Sequence, residues 1–173
     1  MDKKAKVLIS EKQIEQRVRE LAEQISEDYE GKGLHIICIL KGSVFFACDL
    51  MKRITVPVTI DFMSVSSYGN ETTSSGRVRI VKDLDESIRD KDVIIVEDII
   101  DSGRTWAYLT ELLATRVPAS INICSLLDKP DRRVTDVEVK YVGFEIPDEF
   151  VVGYGLDYQQ EYRNLPYIGV LGL

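Results

Sequence analysis

Residues 93–105 read Val93-Ile94-Ile95-Val96-Glu97-Asp98-Ile99-Ile100-Asp101-Ser102-Gly103-Arg104-Thr105, and the first four of them constrain the fold most. Alternate side chains of a strand point to opposite sides, so four consecutive β-branched aliphatic residues require burial on both. A strand of that kind belongs in the middle of a parallel sheet covered by helices. The predicted strand ends at Val96, and an acidic, small-residue turn carries the chain into a helix bearing Tyr108, Leu109, Leu112 and Leu113.

The rest of the chain supplies the partners such a sheet needs. Ser10 and Gln13 have the spacing of a capping box, and Ile14, Val18, Leu21 and Ile25 then mark one face of a helix that Gly31 and Gly33 terminate. Residues 34–40 form an almost wholly apolar run and predict a second buried strand. Lys41-Gly42-Ser43 follows it, and then a helix over 44–51. Further strands are predicted over 56–65, 78–81, 120–127, 139–142 and 167–171. Between 66 and 76 the chain turns polar and glycine-bearing, a loop long enough to be functional. Strands alternating with helices predict an α/β domain with a mainly parallel sheet. In such sheets ligands bind beyond the carboxyl ends of the strands. The segments 41–43, 66–76, 97–105 and 128–129 should therefore converge on one edge.

Composition narrows the function. The 173 residues fit a single domain, 1–173, and carry a net charge of −7, which disfavours a nucleic-acid partner. No apolar run approaches the length of a membrane span, and no secretory leader is recognisable. Cys38, Cys48 and Cys124 lie in apolar runs without metal or redox spacing, so all three read as buried thiols in a reducing cytoplasm. The single histidine, His35, sits inside a predicted strand without a motif partner and reads as structural.

The chemistry concentrates after Val96. Glu97 and Asp98 are adjacent acids at the end of a buried strand, where desolvation is costly unless hydroxyls or a metal meet them. Ser102-Gly103-Arg104-Thr105 leads into a helix, so backbone N–H groups, the helix dipole and two hydroxyls suit a dianionic phosphate. Asp101 stands between the acids and this nest, where it can exchange a proton or hold a hydroxyl. The competing structural reading is an acidic strand end followed by an ordinary Ser or Thr N-cap.

The run from Val93 to Thr105 resembles the phosphoribosyl diphosphate (PRPP) motif of the type I phosphoribosyltransferases. The chain as a whole is similar to the hypoxanthine–guanine branch of that family, with matching segments at Leu40-Lys41-Gly42, Ser67-Tyr68-Gly69, Lys129 and Gly143-Phe144-Glu145-Ile146-Pro147-Asp148-Glu149-Phe150-Val151-Val152-Gly153-Tyr154. The resemblance implies the family's fold, a mainly parallel twisted sheet flanked by helices, with a small hood formed by the N- and C-terminal segments. It also implies purine salvage: transfer of the 5-phosphoribosyl group from PRPP to hypoxanthine, and to guanine, through an oxocarbenium-like transition state, giving the nucleoside monophosphate and diphosphate.

Residue by residue, the resemblance assigns Glu97 and Asp98 to the ribose hydroxyls, directly or through Mg2+, and Asp101 to acid/base exchange with the purine. Ser102, Gly103, Arg104 and Thr105 would surround the 5′-phosphate. Arg104 and Trp106 depart from the residues common there in relatives. Lys41, Gly42 and Arg163 would bind the diphosphate, with a cis Leu40–Lys41 peptide, and Asp157 would ligate Mg2+. Lys129 would read the purine 6-oxo group, since an ammonium only donates hydrogen bonds. Phe150 would stack on the base and the Val151 backbone would meet its edge, while Ser67 and Tyr68 would begin a mobile loop over the site. A homodimer or homotetramer is the family's expected assembly. A non-catalytic PRPP- or purine-sensing regulator on the same fold is the alternative.

Overall fold

The capping box expected at Ser10 forms, with Ser10 Oγ accepting from Gln13 N at 3.2 Å and Gln13 Oε1 accepting from Ser10 N at 2.9 Å. Such a cap contributes about 1 kcal/mol and fixes where α1 (Glu11–Asp28) begins. Its buried face is Ile14, Val18, Leu21, Ala22 and Ile25, the expected stripe with one alanine added.

The computed structural model describes residues 4–67 and 77–172. Ahead of α1 lies β1 (Lys6–Ile9). The chain then runs through β2 (Leu34–Ile39), α2 (Val44–Met51), β3 (Val58–Ser67), β4 (Val78–Lys82), β5 (Asp92–Ile100), α3 (Arg104–Ala114) and β6 (Ser120–Asp128). A 3-10 turn (Pro130–Arg132), β7 (Tyr141–Glu145), β8 (Val151–Val152) and β9 (Ile168–Val170) complete it.

Six strands form one sheet in the order β4-β3-β2-β5-β6-β7. All neighbours are parallel except β3 and β4, so the sheet is mainly parallel, as expected. The order reverses direction between β2 and β5. From β2 the chain crosses through α2 on one face, and from β5 it crosses through α3 on the other. The loops leaving these two strands diverge and open a crevice at their carboxyl ends.

Apolar side chains pack on both faces. Leu34, Ile36 and Cys38 of β2 join α1 and α2 on one side, and Ile37 and Ile39 join Trp106, Leu109 and Leu113 of α3 on the other. Val93, Ile94, Ile95 and Val96 are all fully buried, which their unbroken aliphatic run demands. Each such side chain contributes roughly 1.5–3 kcal/mol of transfer free energy. A second, antiparallel sheet β1-β9-β8 pairs Lys6 with Val170 and Val151 with Val170, and makes the expected hood from the two ends of the chain.

Several boundaries differ from expectation. β5 continues four residues beyond Val96, because Glu97 pairs with Ser125 and Ile99 with Leu127 in β6; the two acids therefore lie in a strand and not in a turn. β3 likewise reaches Ser67, which pairs with Val78, so Ser67 is a strand residue and not the first residue of a loop. Tyr68 lies outside the described residues. Cys38 and Cys124 are buried free thiols, but Cys48 is exposed on the outer face of α2. His35 is buried near the start of β2, its Nδ1 2.7 Å from Thr59 Oγ1, at the opposite end of the strand from Lys41. Among the described residues no helix is long and apolar enough to cross a membrane.

Candidate active site

At the carboxyl end of β5 the backbone supplies a carboxylate pair followed by an anion nest. Glu97 is buried and Asp98 partly so, with Glu97 Oε1 accepting from Asp98 N at 2.8 Å and Asp98 Oδ1 accepting from Ile99 N at 2.7 Å. Burial pushes the Glu97 carboxyl well above the usual range, and the Asp98 charge raises it further; burial also raises Asp98. Two adjacent acids so little hydrated resist carrying both charges unless a cation or hydroxyl donors offset them.

The nest follows directly. Gly103 is the N-cap of α3 at φ +84° and ψ −7°, with no side-chain cap on the helix. The N-cap is therefore Gly103 and not a Ser or Thr, and apart from the Arg104 N–H, which reaches Ser102 Oγ, the first N–H groups of α3 have no side-chain cap. A cavity of about 190 Å3 opens here, lined by Val65, Glu97, Ile99, Asp101, Ser102, Gly103, Thr105 and Trp106. Trp106 is buried in the core of the α3 face while also forming part of this wall. Arg104 opens α3 and is exposed, and its amide reaches Ser102 Oγ at 3.4 Å.

From β2 comes Lys41-Gly42, preceded by the expected cis Leu40–Lys41 peptide. A Cβ at Gly42 would stand 1.8 Å from Asp98 Oδ2, and one at Gly155 would stand 2.1 Å from Gly42 O. The turn after β2 is thus closely held between the β5 acid and the hood. Lys41 Nζ donates to Gln160 Oε1 at 3.4 Å, and Arg163 donates to the same oxygen at 3.2 Å and to Gly155 O at 2.6 Å. Asp157 completes this group, its Oδ1 3.3 Å from Arg163 and its Oδ2 accepting from Gln160 N at 2.9 Å.

The third component follows β6. Lys129 is buried, and its Nζ lies 3.8 Å from Asp101 Oδ1 and 3.6 Å from Asp148 Oδ1. Its backbone N–H donates to Ile100 O at 3.0 Å, which ties the β6 exit to the β5 exit. Phe150 is 42% exposed and meets Tyr158 edge to face, with ring centroids 5.7 Å apart; Val151 follows it, buried in β8. An aromatic left half open beside a polar cluster offers a platform for a planar ring.

The structure brings Gly42 to Asp98, Lys41 and Arg163 to Gln160 with Asp157 beside Arg163, and Asp101 to Lys129. Among the described residues no three acidic, His or Cys side chains gather as a metal site, so Glu97, Asp98 and Asp157 do not form one cluster. A magnesium ion commonly takes one or two carboxylates and completes its shell with waters and substrate phosphates, which fits either position. Sequence reasoning missed Gln160 and Asp148. Gln160 lies within a polar turn, and Asp148 within a matched segment where only Phe150 and Val151 stood out.

A phosphoribosyl transferase domain model matches residues 7–159. A hypoxanthine-guanine phosphoribosyltransferase of Staphylococcus aureus is 56% identical over 165 residues, spanning 95% of this chain and 92% of that protein. A bifunctional protein TilS/HprT of Listeria monocytogenes is 52% identical over 166 residues, where this chain spans 26% of the relative's length. Among solved structures, a hypoxanthine-guanine phosphoribosyltransferase of Bacillus anthracis superposes with a TM-score of 0.95 at 50% identity, covering 98% of this chain and 100% of that one.

Proposed function

Because this chain belongs to the hypoxanthine–guanine branch of the phosphoribosyltransferase family, we propose that its β5 edge transfers the 5-phosphoribosyl group from PRPP to a 6-oxopurine, yielding IMP or GMP and diphosphate. The observation that carries this reading is the 3.8 Å approach of Asp101 to buried Lys129, one residue before the phosphate nest. It sets a proton-exchanging acid and an oxo-reading cation beside the group that would hold the ribose phosphate.

On this reading the 5′-phosphate sits in the nest of residues 102–105, balanced by the N–H groups and the positive end of α3. Glu97 and Asp98 hold the ribose hydroxyls. Lys41 and Arg163, gathered around Gln160, receive the diphosphate and balance its charge as the C–O bond loosens. The purine lies on Phe150 with its edge toward the Val151 backbone, and Lys129 donates to its 6-oxo oxygen. The 6-amino group of adenine would present hydrogens to the same ammonium. Asp101 exchanges a proton with a purine imidazole nitrogen as that ring attacks the oxocarbenium-like carbon.

Magnesium held at Asp157 would supply charge to the diphosphate and order its oxygens, and magnesium held at Glu97 and Asp98 would meet the ribose hydroxyls. The exposed Phe45, stacked on Tyr154 with centroids 6.4 Å apart, supports assembly as a homodimer or homotetramer. The free thiols Cys38 and Cys124 suit a reducing cytoplasm.

A spectrophotometric assay with PRPP, Mg2+ and each of hypoxanthine, guanine, xanthine and adenine tests the proposal. Nucleotide should form with hypoxanthine and guanine and not with adenine. Absence of product with every base would leave the sensing role as the reading.

A further inference from the structure

The loop that carries Asp101 is held from behind by a segment to which no role has been given. Val134 N and Thr135 N both donate to Ser102 O, at 3.0 and 3.1 Å, and Arg133 Nε donates to Asp101 O at 3.2 Å. The same guanidinium bonds the Asp128 carboxylate through its other arm. The Arg133 and Asp128 side chains are only 20% and 11% exposed, so water competes weakly for either. There is no slack behind the loop. A Cβ on Gly103 would meet Thr135 O at 2.7 Å, Arg133 Cδ at 2.9 Å and Val137 Cγ2 at 3.1 Å.

The consequence for the nest follows from peptide geometry. In a planar trans peptide the C=O of one residue and the N–H of the next point in opposite directions. Fixing Asp101 O against Arg133 turns the Ser102 N–H the other way, and fixing Ser102 O against Val134 and Thr135 does the same for the Gly103 N–H. Among the described residues neither N–H has a protein acceptor, and both residues line the cavity in front of the loop. Two successive N–H groups aimed into a concavity are what an anion requires.

We propose that Arg133, itself oriented by Asp128, is a positioning residue that presets the backbone nest for the substrate's 5′-phosphate. It acts through the Asp101 carbonyl and not by touching the phosphate. Asp128 immediately precedes Lys129, so the same ion pair links the phosphate nest to the turn that presents the base-reading ammonium. The inference deepens the phosphoribosyl reading and rests on it.

The test uses Arg133→Met, which keeps the stem and removes the guanidinium, with Arg133→Lys, Asp128→Asn and the double variant Arg133→Met/Asp128→Asn. Dissociation constants for ribose 5-phosphate, which lacks both diphosphate and base, are measured by calorimetry, together with KM for PRPP and, at saturating PRPP, KM for hypoxanthine. Arg133→Met should weaken ribose 5-phosphate and raise KM for PRPP by about tenfold, with KM for hypoxanthine within about twofold of the parent. Arg133→Lys, whose single ammonium reaches one of the two oxygens, should fall between. Asp128→Asn should weaken the same constants, and the double variant should be no worse than Arg133→Met, because Asp128 acts through Arg133. If Arg133→Met fails to fold, Arg133→Lys and Asp128→Asn carry the comparison. Variants that lose only melting temperature, with parental constants for ribose 5-phosphate and PRPP, overturn the inference. Failure of the parent protein to bind ribose 5-phosphate would overturn the phosphate assignment of residues 102–105 instead.

Discussion

Gly42 lies so close to Asp98 that a Cβ on Gly42 would stand 1.8 Å from Asp98 Oδ2. The two residues belong to turns or strands on opposite sides of the reversal in sheet order, and their contact joins the proposed diphosphate turn to the proposed ribose acid. Gly42→Ala should therefore displace Asp98, whose Oδ1 is already engaged by Ile99 N at 2.7 Å. The expected result is a rise of about tenfold or more in KM for PRPP, with a stability loss of about 1–3 kcal/mol. Steady-state kinetics and urea melts check it; parental KM for PRPP would show that the contact does not matter to the site.

Lys129 lies between two carboxylates, 3.8 Å from Asp101 and 3.6 Å from Asp148. Lys129→Ala should lower kcat/KM for hypoxanthine by about a hundredfold and leave the adenine value unaffected, so selectivity narrows. The ratio of the two kcat/KM values is the readout. An unchanged ratio would remove Lys129 from base recognition.

Burial raises the folded-state pKa of Glu97 above its ordinary 4.5. Below 4.5 both folded and unfolded chains carry the proton, and this group's contribution to stability is fully present. As pH rises from 4.5 toward the folded value, the unfolded chain releases a proton that the native state keeps, and stability falls. Glu97→Gln has no such titration. It should raise stability at neutral pH by about 1 kcal/mol, flatten the melting temperature between pH 4.5 and 8, and weaken PRPP binding. Melting curves across that range decide it; a variant less stable than the parent at pH 8 contradicts the account of this pair.

The aliphatic run 93–96 announced a doubly covered strand, and the capping box, the α1 stripe and the polar exits at 41–43 and 128–129 were equally local signals. The boundaries that were missed depend on contacts distant in sequence. Nothing near Glu97 reveals that it continues a strand, since acids are disfavoured there and only pairing with Ser125 keeps it in β5. β1 and β8 are four and two residues long, too short for periodicity, and exist because β9 lies between them. Motifs identified the groups with chemistry of their own, such as Asp101, Lys41 and Lys129. They passed over Gln160 and Asp148, whose roles arise only where Lys41 meets Arg163 and where Lys129 becomes buried.

On the proposed function Asp101 is the residue on which the transfer chemistry turns, because it lies 3.8 Å from the Lys129 ammonium and lines one cavity with Glu97 and the nest residues Ser102 and Gly103. The most direct measurement compares Asp101→Ala with the parent in two assays: calorimetric binding of PRPP with Mg2+, and single-turnover formation of IMP from hypoxanthine. The account predicts a PRPP dissociation constant within about threefold of the parent and a turnover reduced by about 10²–10⁴-fold. Near-parental turnover with unchanged PRPP binding would contradict the assignment of proton exchange to this carboxylate.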